Sequence, residues 1–187
     1  MYNGFPAANV TSTGAVSHSI ESVRDGVVTR GVLLDLPRLR GAPWLDAGEA
    51  VYRDDLEAAE SAQNLRVAEG DVVFLHTGRH RRNREGEPSL SLAGLHATSV
   101  PWLRERGVAI LGCDGISDVQ PSGMPAGGIP VHVLTIAGMG IHLIDNVYTD
   151  AVAEACAERG RWEFLFVLAP LVLLRGTASP VNPLAIF

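Results

Sequence analysis

The chain has 187 residues, 47% of them apolar and 19% charged, an ordinary balance for a globular domain long enough to bury a core. A formal net charge of −6 excludes nucleic acid and an anionic membrane surface as the main partner. No apolar run is long enough to cross a bilayer, and the opening MYNGFP lacks the basic start and apolar centre of a signal peptide, so a cytoplasmic single domain over 1–187 is expected.

Taken in order, residues 1–15 read as an extended loop, with Asn3-Gly4 and Phe5-Pro6 as turn signals. A short helix is expected over 19–23, then a strand over 31–36 ended by Pro37, then loop over 39–48. The stretch 52–64 predicts a helix whose acidic first turn complements the positive end of the helix dipole. A strand over 71–76 turns at Thr77-Gly78 into a polar loop over 79–92, which carries the basic cluster RHRRNRE. A helix over 99–106 tolerates Pro101 in its first turn.

Residues 107–146 are the most informative stretch. A short apolar run over 108–111 stops at Gly112, as a buried strand does. A Gly- and Pro-rich loop follows, with Asp114 and Asp118 near its start. A second apolar segment opens at Pro130-Val131-His132 and ends at Asp145-Asn146. Beyond it come a helix over 149–159, capped by Thr149 or Asp150 and stopped by Gly160, a strand over 162–169 that 170–174 continues, and a terminal strand or tail over 181–187. Strands alternating with helices give an α/β class.

The six histidines form no compact metal motif. His76 and His80 have i, i+4 spacing, but Thr77-Gly78 breaks any helix between them, so they read as a strand end and a loop. His142, inside an apolar run, reads as a core or interface side chain. If the segment after Pro130 is one helix, His132 and Asp145 are too far apart to meet, and only a bend brings them together. Asp114 and Asp118 could bind a cation or do acid–base work, or simply cap turns. Cys113 and Cys156 have no metal-ligand spacing and read as buried free thiols. Neither a phosphate-binding loop nor a nucleophile elbow occurs.

As a set, GVLLDLPRL at 31–39, GDVVFLHTGR at 70–79, the segments at 93–123 and 130–146, and SPVNPLAIF at 179–187 resemble the cyclase superfamily that includes bacterial kynurenine formamidases and isatin hydrolases. The resemblance implies a swivelling β/β/α domain and a metal-dependent hydrolase of a C–N bond in a formamide, amide or lactam. It also implies a divalent cofactor, zinc or manganese. The family's His-x-Gly-Thr-His-x-Asp signature is absent, so the chain corresponds to an N-terminally shortened form of the family domain. By resemblance His132 matches a metal-site histidine and Asp145 the acidic residue after it, which leaves at most two of the expected ligands. Resemblance and placement at loop edges further point to His96 for substrate contact or proton transfer, Asp114 for orienting the site, and Asn182 for lining the pocket. The expected partners are a small-molecule substrate and a second copy of the chain. A metal-free cyclase or isomerase of natural-product biosynthesis, or a non-catalytic binding protein on the same scaffold, are the alternatives.

Overall fold

The computed structural model describes residues 2–86 and 89–187. Its frame is a six-stranded sheet: β1 (Val27–Asp35), β2 (Val72–His76), β3 (Ile110–Cys113), β4 (His142–Ile144), β5 (Glu163–Leu168) and β6 (Leu184–Ile186), in the order β6-β5-β1-β2-β3-β4. From β1 to β4 the strands run parallel, whereas β5 is antiparallel to β1 and β6 antiparallel to β5. All residues of β2 and β3 are buried, which is why both read as unbroken apolar runs.

Each face of the sheet carries helices. Val32, Leu34, Val73, Leu75 and Leu111 pack on one side against α1 (Arg53–Ala62) and α3 (Val100–Arg106), whose Leu56, Ala59, Trp102 and Leu103 close that core. Leu33, Val72, Phe74 and Ile110 pack on the other side against α5 (Asp150–Arg159) and the aromatic rings of Phe164 and Phe166. Gly31 and Gly112 make this aromatic layer possible. A Cβ on either would lie 2.3 Å from the ring of Phe164 or Phe74 respectively, well inside contact distance.

Four expectations need correction. The polar stretch after Gly78 is not all loop: Arg79–Glu85 forms α2, held by an Arg81–Glu85 pair one turn apart (3.0 Å) and by Arg84 reaching Asp150 (3.0 Å). The first strand of the sheet ends at Asp35, not at residue 36, because the Asp35 carboxylate accepts from Arg38 N–H (3.0 Å) and caps a short helix, Leu36–Arg40. His142 is exposed rather than a core side chain, since β4 is the edge strand and turns that position to solvent. After Leu168 the chain leaves the sheet instead of continuing the strand, and Pro170 bridges Val181.

The segment after Pro130 is not one helix. An α-turn, Pro130–His132, widens into a π-helical stretch, Val133–Met139; together they are α4. The Thr135 hydroxyl donates to the Val131 carbonyl (2.7 Å), a side-chain bond that competes with the regular ladder. Gly140 then adopts a left-handed conformation (φ 71°), and the chain reverses into β4. Among the described residues no helix is long and apolar enough to cross a membrane.

Candidate functional site

The reversal at Gly140 returns Asp145 to the start of the helix it left. His132 Nε2 and Asp145 Oδ2 are 2.9 Å apart, and His132 Nδ1 and Asp118 Oδ2 are 2.6 Å apart. Asp118 lies on the loop after β3, Asp145 directly after β4, and His132 in the first turn of α4. The group therefore gathers at the carboxyl ends of adjacent parallel strands, where open α/β sheets place their ligand sites.

Asp118 organises the group. It is buried, and its carboxylate accepts from the backbone N–H of Val131 (2.7 Å) and His132 (3.2 Å) while also holding the His132 ring. One side chain thus satisfies the otherwise orphaned donors of the helix start and fixes the imidazole plane. On the other side, the buried Ser117 hydroxyl donates to Asp145 Oδ1 (2.7 Å). Ser117 and Asn146 both carry left-handed backbone angles, φ 63° and 57°. Non-glycine residues held there mark a segment whose geometry is imposed by its surroundings, and such segments concentrate at sites. Arg79 ties the two loops together by donating to Asn146 Oδ1 (2.6 Å) and to the Asp114 carbonyl (3.3 Å).

A carboxylate accepts only, so each ring nitrogen of His132 donates and the ring is an imidazolium between two anions. The hydrogen bond to Asp118 first, then that to Asp145, raises its pKa from 6.5 to about 9 against the opposing effect of burial. Val133, Leu134 and Ile136, which follow His132 on α4, are exposed.

The remaining expected residues are placed as follows. His96 belongs to the same loop cluster, since Leu95 N–H donates to the Ser117 carbonyl (2.8 Å) and Val119 N–H to the Leu95 carbonyl (3.1 Å). Its Nδ1 accepts from Thr98 N–H at 3.3 Å and pairs with the Thr98 hydroxyl at 2.8 Å. The ring lies against Tyr52, 5.0 Å between centroids. Asp114 is buried and turned elsewhere. It accepts from Thr77 N–H (3.0 Å), the Thr77 hydroxyl (2.6 Å) and Arg79 N–H (3.1 Å), and so fixes the turn between β2 and α2. Asn182 is exposed on the approach to β6, at the sheet edge opposite β4, and is not brought to His132.

Two features escaped sequence reasoning. Asp118 is the residue that positions His132, a role signalled in retrospect by its place before a Pro-initiated helix. The other is a second grouping, in which ligand-capable atoms of His76, Asp114 and Asp150 all lie within 4.8 Å of one another.

A family description reading "Putative cyclase" matches residues 4–118. A crystal structure described as a novel cyclase superposes on the whole chain with TM-score 0.89 and 28% identity, and the chain spans 63% of that protein's length. Isatin hydrolase A from Ralstonia solanacearum superposes on 96% of the chain with TM-score 0.65 at 19% identity, the chain spanning 64% of its length. A structure described as a potential metal-dependent hydrolase with cyclase activity covers 94% of the chain and is itself covered over 72%, with TM-score 0.59 and 17% identity. These last two likenesses establish the shared fold. No curated protein matches the sequence. The α/β sheet and the match over more than half of the residues agree, and the chain belongs to the Putative cyclase family.

Proposed function

We propose that the chain is a metal-dependent hydrolase of a C–N bond in a small formamide, amide or lactam, with His132 and Asp145 holding the ion. The observation that carries this reading is the 2.9 Å approach of His132 Nε2 to Asp145 Oδ2, with Asp118 fixed on the other ring nitrogen. A histidine that ligates through one nitrogen is ordinarily oriented by a carboxylate on the other, and Asp118 supplies that partner. Imidazole and carboxylate together suit a borderline divalent ion such as zinc or manganese. Isatin hydrolase among the structural relatives acts on a lactam by its name, and another structural relative is described as a potential metal-dependent hydrolase with cyclase activity.

An ion bound there supplies Lewis acidity, which polarises a carbonyl and acidifies water. The protein's own tasks are positional. Asp118 keeps a proton on Nδ1, so that only Nε2 is available. Ser117 occupies Asp145 Oδ1 and leaves Oδ2 facing the imidazole. His96 has Nδ1 committed to Thr98 and Nε2 left for a substrate hydrogen bond or for moving a proton to the leaving nitrogen. The Tyr52 ring beside it provides a flat apolar wall. Catalytic zinc takes three protein ligands as a rule, and His132 with Asp145 makes two. We therefore assign the remaining ligand to polypeptide laid over Val133, Leu134 and Ile136, whose exposure calls for a cover. A homo-oligomer would provide one.

The test is turnover of an N-formylaniline and of isatin by the zinc- or manganese-loaded chain, with metal content measured on the same samples. The account expects metal-dependent cleavage, with His132→Ala losing both metal and turnover. Unchanged turnover in that variant, or in excess chelator, would sink the metal reading and favour the metal-free alternative.

A further inference from the structure

A second histidine–carboxylate group stands apart from the first and is built differently. His76 ends β2, Asp114 follows β3, and Asp150 opens α5; all three are buried. One ligand-capable atom from each falls within a 4.8 Å set, with His76 Nδ1 3.6 Å from Asp114 Oδ2. His76 and Asp150 also line a cavity of about 600 Å³ that opens between the Leu36–Arg40 turn, α2 and α5. We propose that His76, Asp114 and Asp150 form a second divalent-cation site, reached through this cavity and independent of His132.

Four observations support it. First, Asp150 Oδ1 is buried without a hydrogen-bond partner, although the other oxygen pairs with Arg84 Nη2 at 3.0 Å. The Asp150 side chain is only 10% exposed. A buried carboxylate oxygen left unpaired is costly, and a cation is the partner that removes the cost. Second, the Asp114 carboxylate is fixed by backbone donors at Thr77 and Arg79, with Oδ1 taking the Thr77 hydroxyl as well. Oδ2, the oxygen nearer His76, accepts only the two backbone N–H groups, from Thr77 at 3.2 Å and Arg79 at 3.1 Å, and no hydroxyl. Third, the Thr149 hydroxyl lies 2.7 Å from His76 Nδ1 and fixes the ring plane. That bond occupies Nδ1, so the ring nitrogen not engaged by Thr149 is Nε2. Fourth, the cavity gives an entry path, which a buried ligand set needs.

One imidazole and two carboxylates make a three-ligand set with room for water, suited to zinc, cobalt(II) or manganese rather than to calcium, which prefers oxygen alone. In the first group Asp118 and Asp145 sit on opposite ring nitrogens and cannot share one ion. Here the two carboxylates approach the same histidine closely enough to do so.

The experiment is a cobalt(II) titration of the metal-free full chain, read by visible absorption and by equilibrium dialysis, with His76→Gln, Asp150→Asn and His132→Ala alongside. Circular dichroism and the unfolding midpoint of each variant report whether it is folded. The proposal expects one cobalt equivalent that survives His132→Ala and weakens at least about tenfold in both His76→Gln and Asp150→Asn, the range over which lost metal-site contacts act. Cobalt uptake abolished by His132→Ala, or unaffected by folded His76→Gln and Asp150→Asn, would overturn it. So would no uptake at all by the wild-type chain. Because His132→Ala is scored separately, this site and the proposed hydrolytic centre fail independently.

Discussion

The protein carries two histidines beside paired carboxylates, and the way each pair is arranged around the ring sets what it can do. Around His132 the carboxylates of Asp118 and Asp145 lie on opposite nitrogens, 2.6 and 2.9 Å away, so one anchors the ring and the other shares its free edge. Around His76 the ring is anchored by a neutral hydroxyl, Thr149, and both acids lie in one 4.8 Å cluster. The first arrangement stabilises a proton on the ring. The second leaves an unpaired anionic oxygen in the interior, which attracts a cation from outside. The environments differ as well. Exposed apolar side chains of α4 flank His132, whereas the cavity beside His76 is edged by Asp35, Arg38, Arg81 and Arg84.

The largest effect that would break this comparison is on folding. Asp118 satisfies two backbone N–H groups and a ring nitrogen, so Asp118→Ala leaves buried donors unpaired and should cost about 3 kcal/mol in urea unfolding. Asp114→Ala should cost a similar ~3 kcal/mol, because it too removes the acceptor of two backbone N–H groups and a hydroxyl. Asp145→Ala should cost less, about 1 kcal/mol, since Asp145 is half-buried and its loss leaves one buried donor, the Ser117 hydroxyl, unpaired. Equal losses for Asp118→Ala and Asp145→Ala would mean that the two carboxylates are interchangeable and that Asp118 has no anchoring role.

A smaller effect is the pH dependence of stability. The folded state raises the His132 pKa from 6.5 to about 9, so it binds this proton more tightly than the unfolded chain does. The resulting stabilisation is fully present below about pH 6.5 and is lost as the pH rises through about 9. Because the ring is partly exposed, we expect roughly 1–2 kcal/mol rather than the full value of the shift. The sequence contains no lysine, but burial pushes Cys156 up to about 12 and Cys113 further still, so ionisation of these two thiols in the unfolded chain adds a separate loss of stability above about pH 8.5. Urea midpoints at pH 6 and pH 9.5 measure the sum, and the difference between wild type and His132→Gln isolates the part that belongs to the ring. Metal affinity at Nε2 should move the opposite way, rising with pH as the competing proton leaves.

Much of the frame was legible in the sequence because buried parallel strands leave an unmistakable apolar run, as in 71–76 and 108–111. The stop at Gly160 was legible for the same kind of local reason, a left-handed glycine after a helix (φ 59°). The meeting of His132 with Asp145 was not, because it depends on a reversal at Gly140 inside a run that looks continuous. The π-helical widening at Thr135 is likewise set by one side-chain hydrogen bond rather than by periodicity. Asp114 reads in the sequence as orienting the site, but its partners Thr77 and Arg79 lie just past the end of the neighbouring strand β2, 35 or more residues away in sequence, and no local pattern announces them. Thr149, which with Asp150 reads as a candidate cap, does stand at the N-cap position, but its hydroxyl turns to His76 rather than to the helix backbone.

The smallest expected effect concerns Asn182. It is exposed at the far sheet edge, so Asn182→Ala should change stability by less than about 0.5 kcal/mol and leave metal binding at His132 unaltered. A clear loss of turnover in this variant would bring the β6 edge into the active centre and redraw the substrate path.

The measurement that bears most directly on the central claim is an NMR titration of the His132 ring, with and without saturating zinc. The account predicts a ring that titrates near pH 9 in the metal-free chain, falls toward its ordinary value in Asp118→Asn, and stops titrating once zinc is bound. A ring that titrates near 6.5 and is indifferent to zinc would contradict both the carboxylate–histidine–carboxylate array and the metal centre proposed on it.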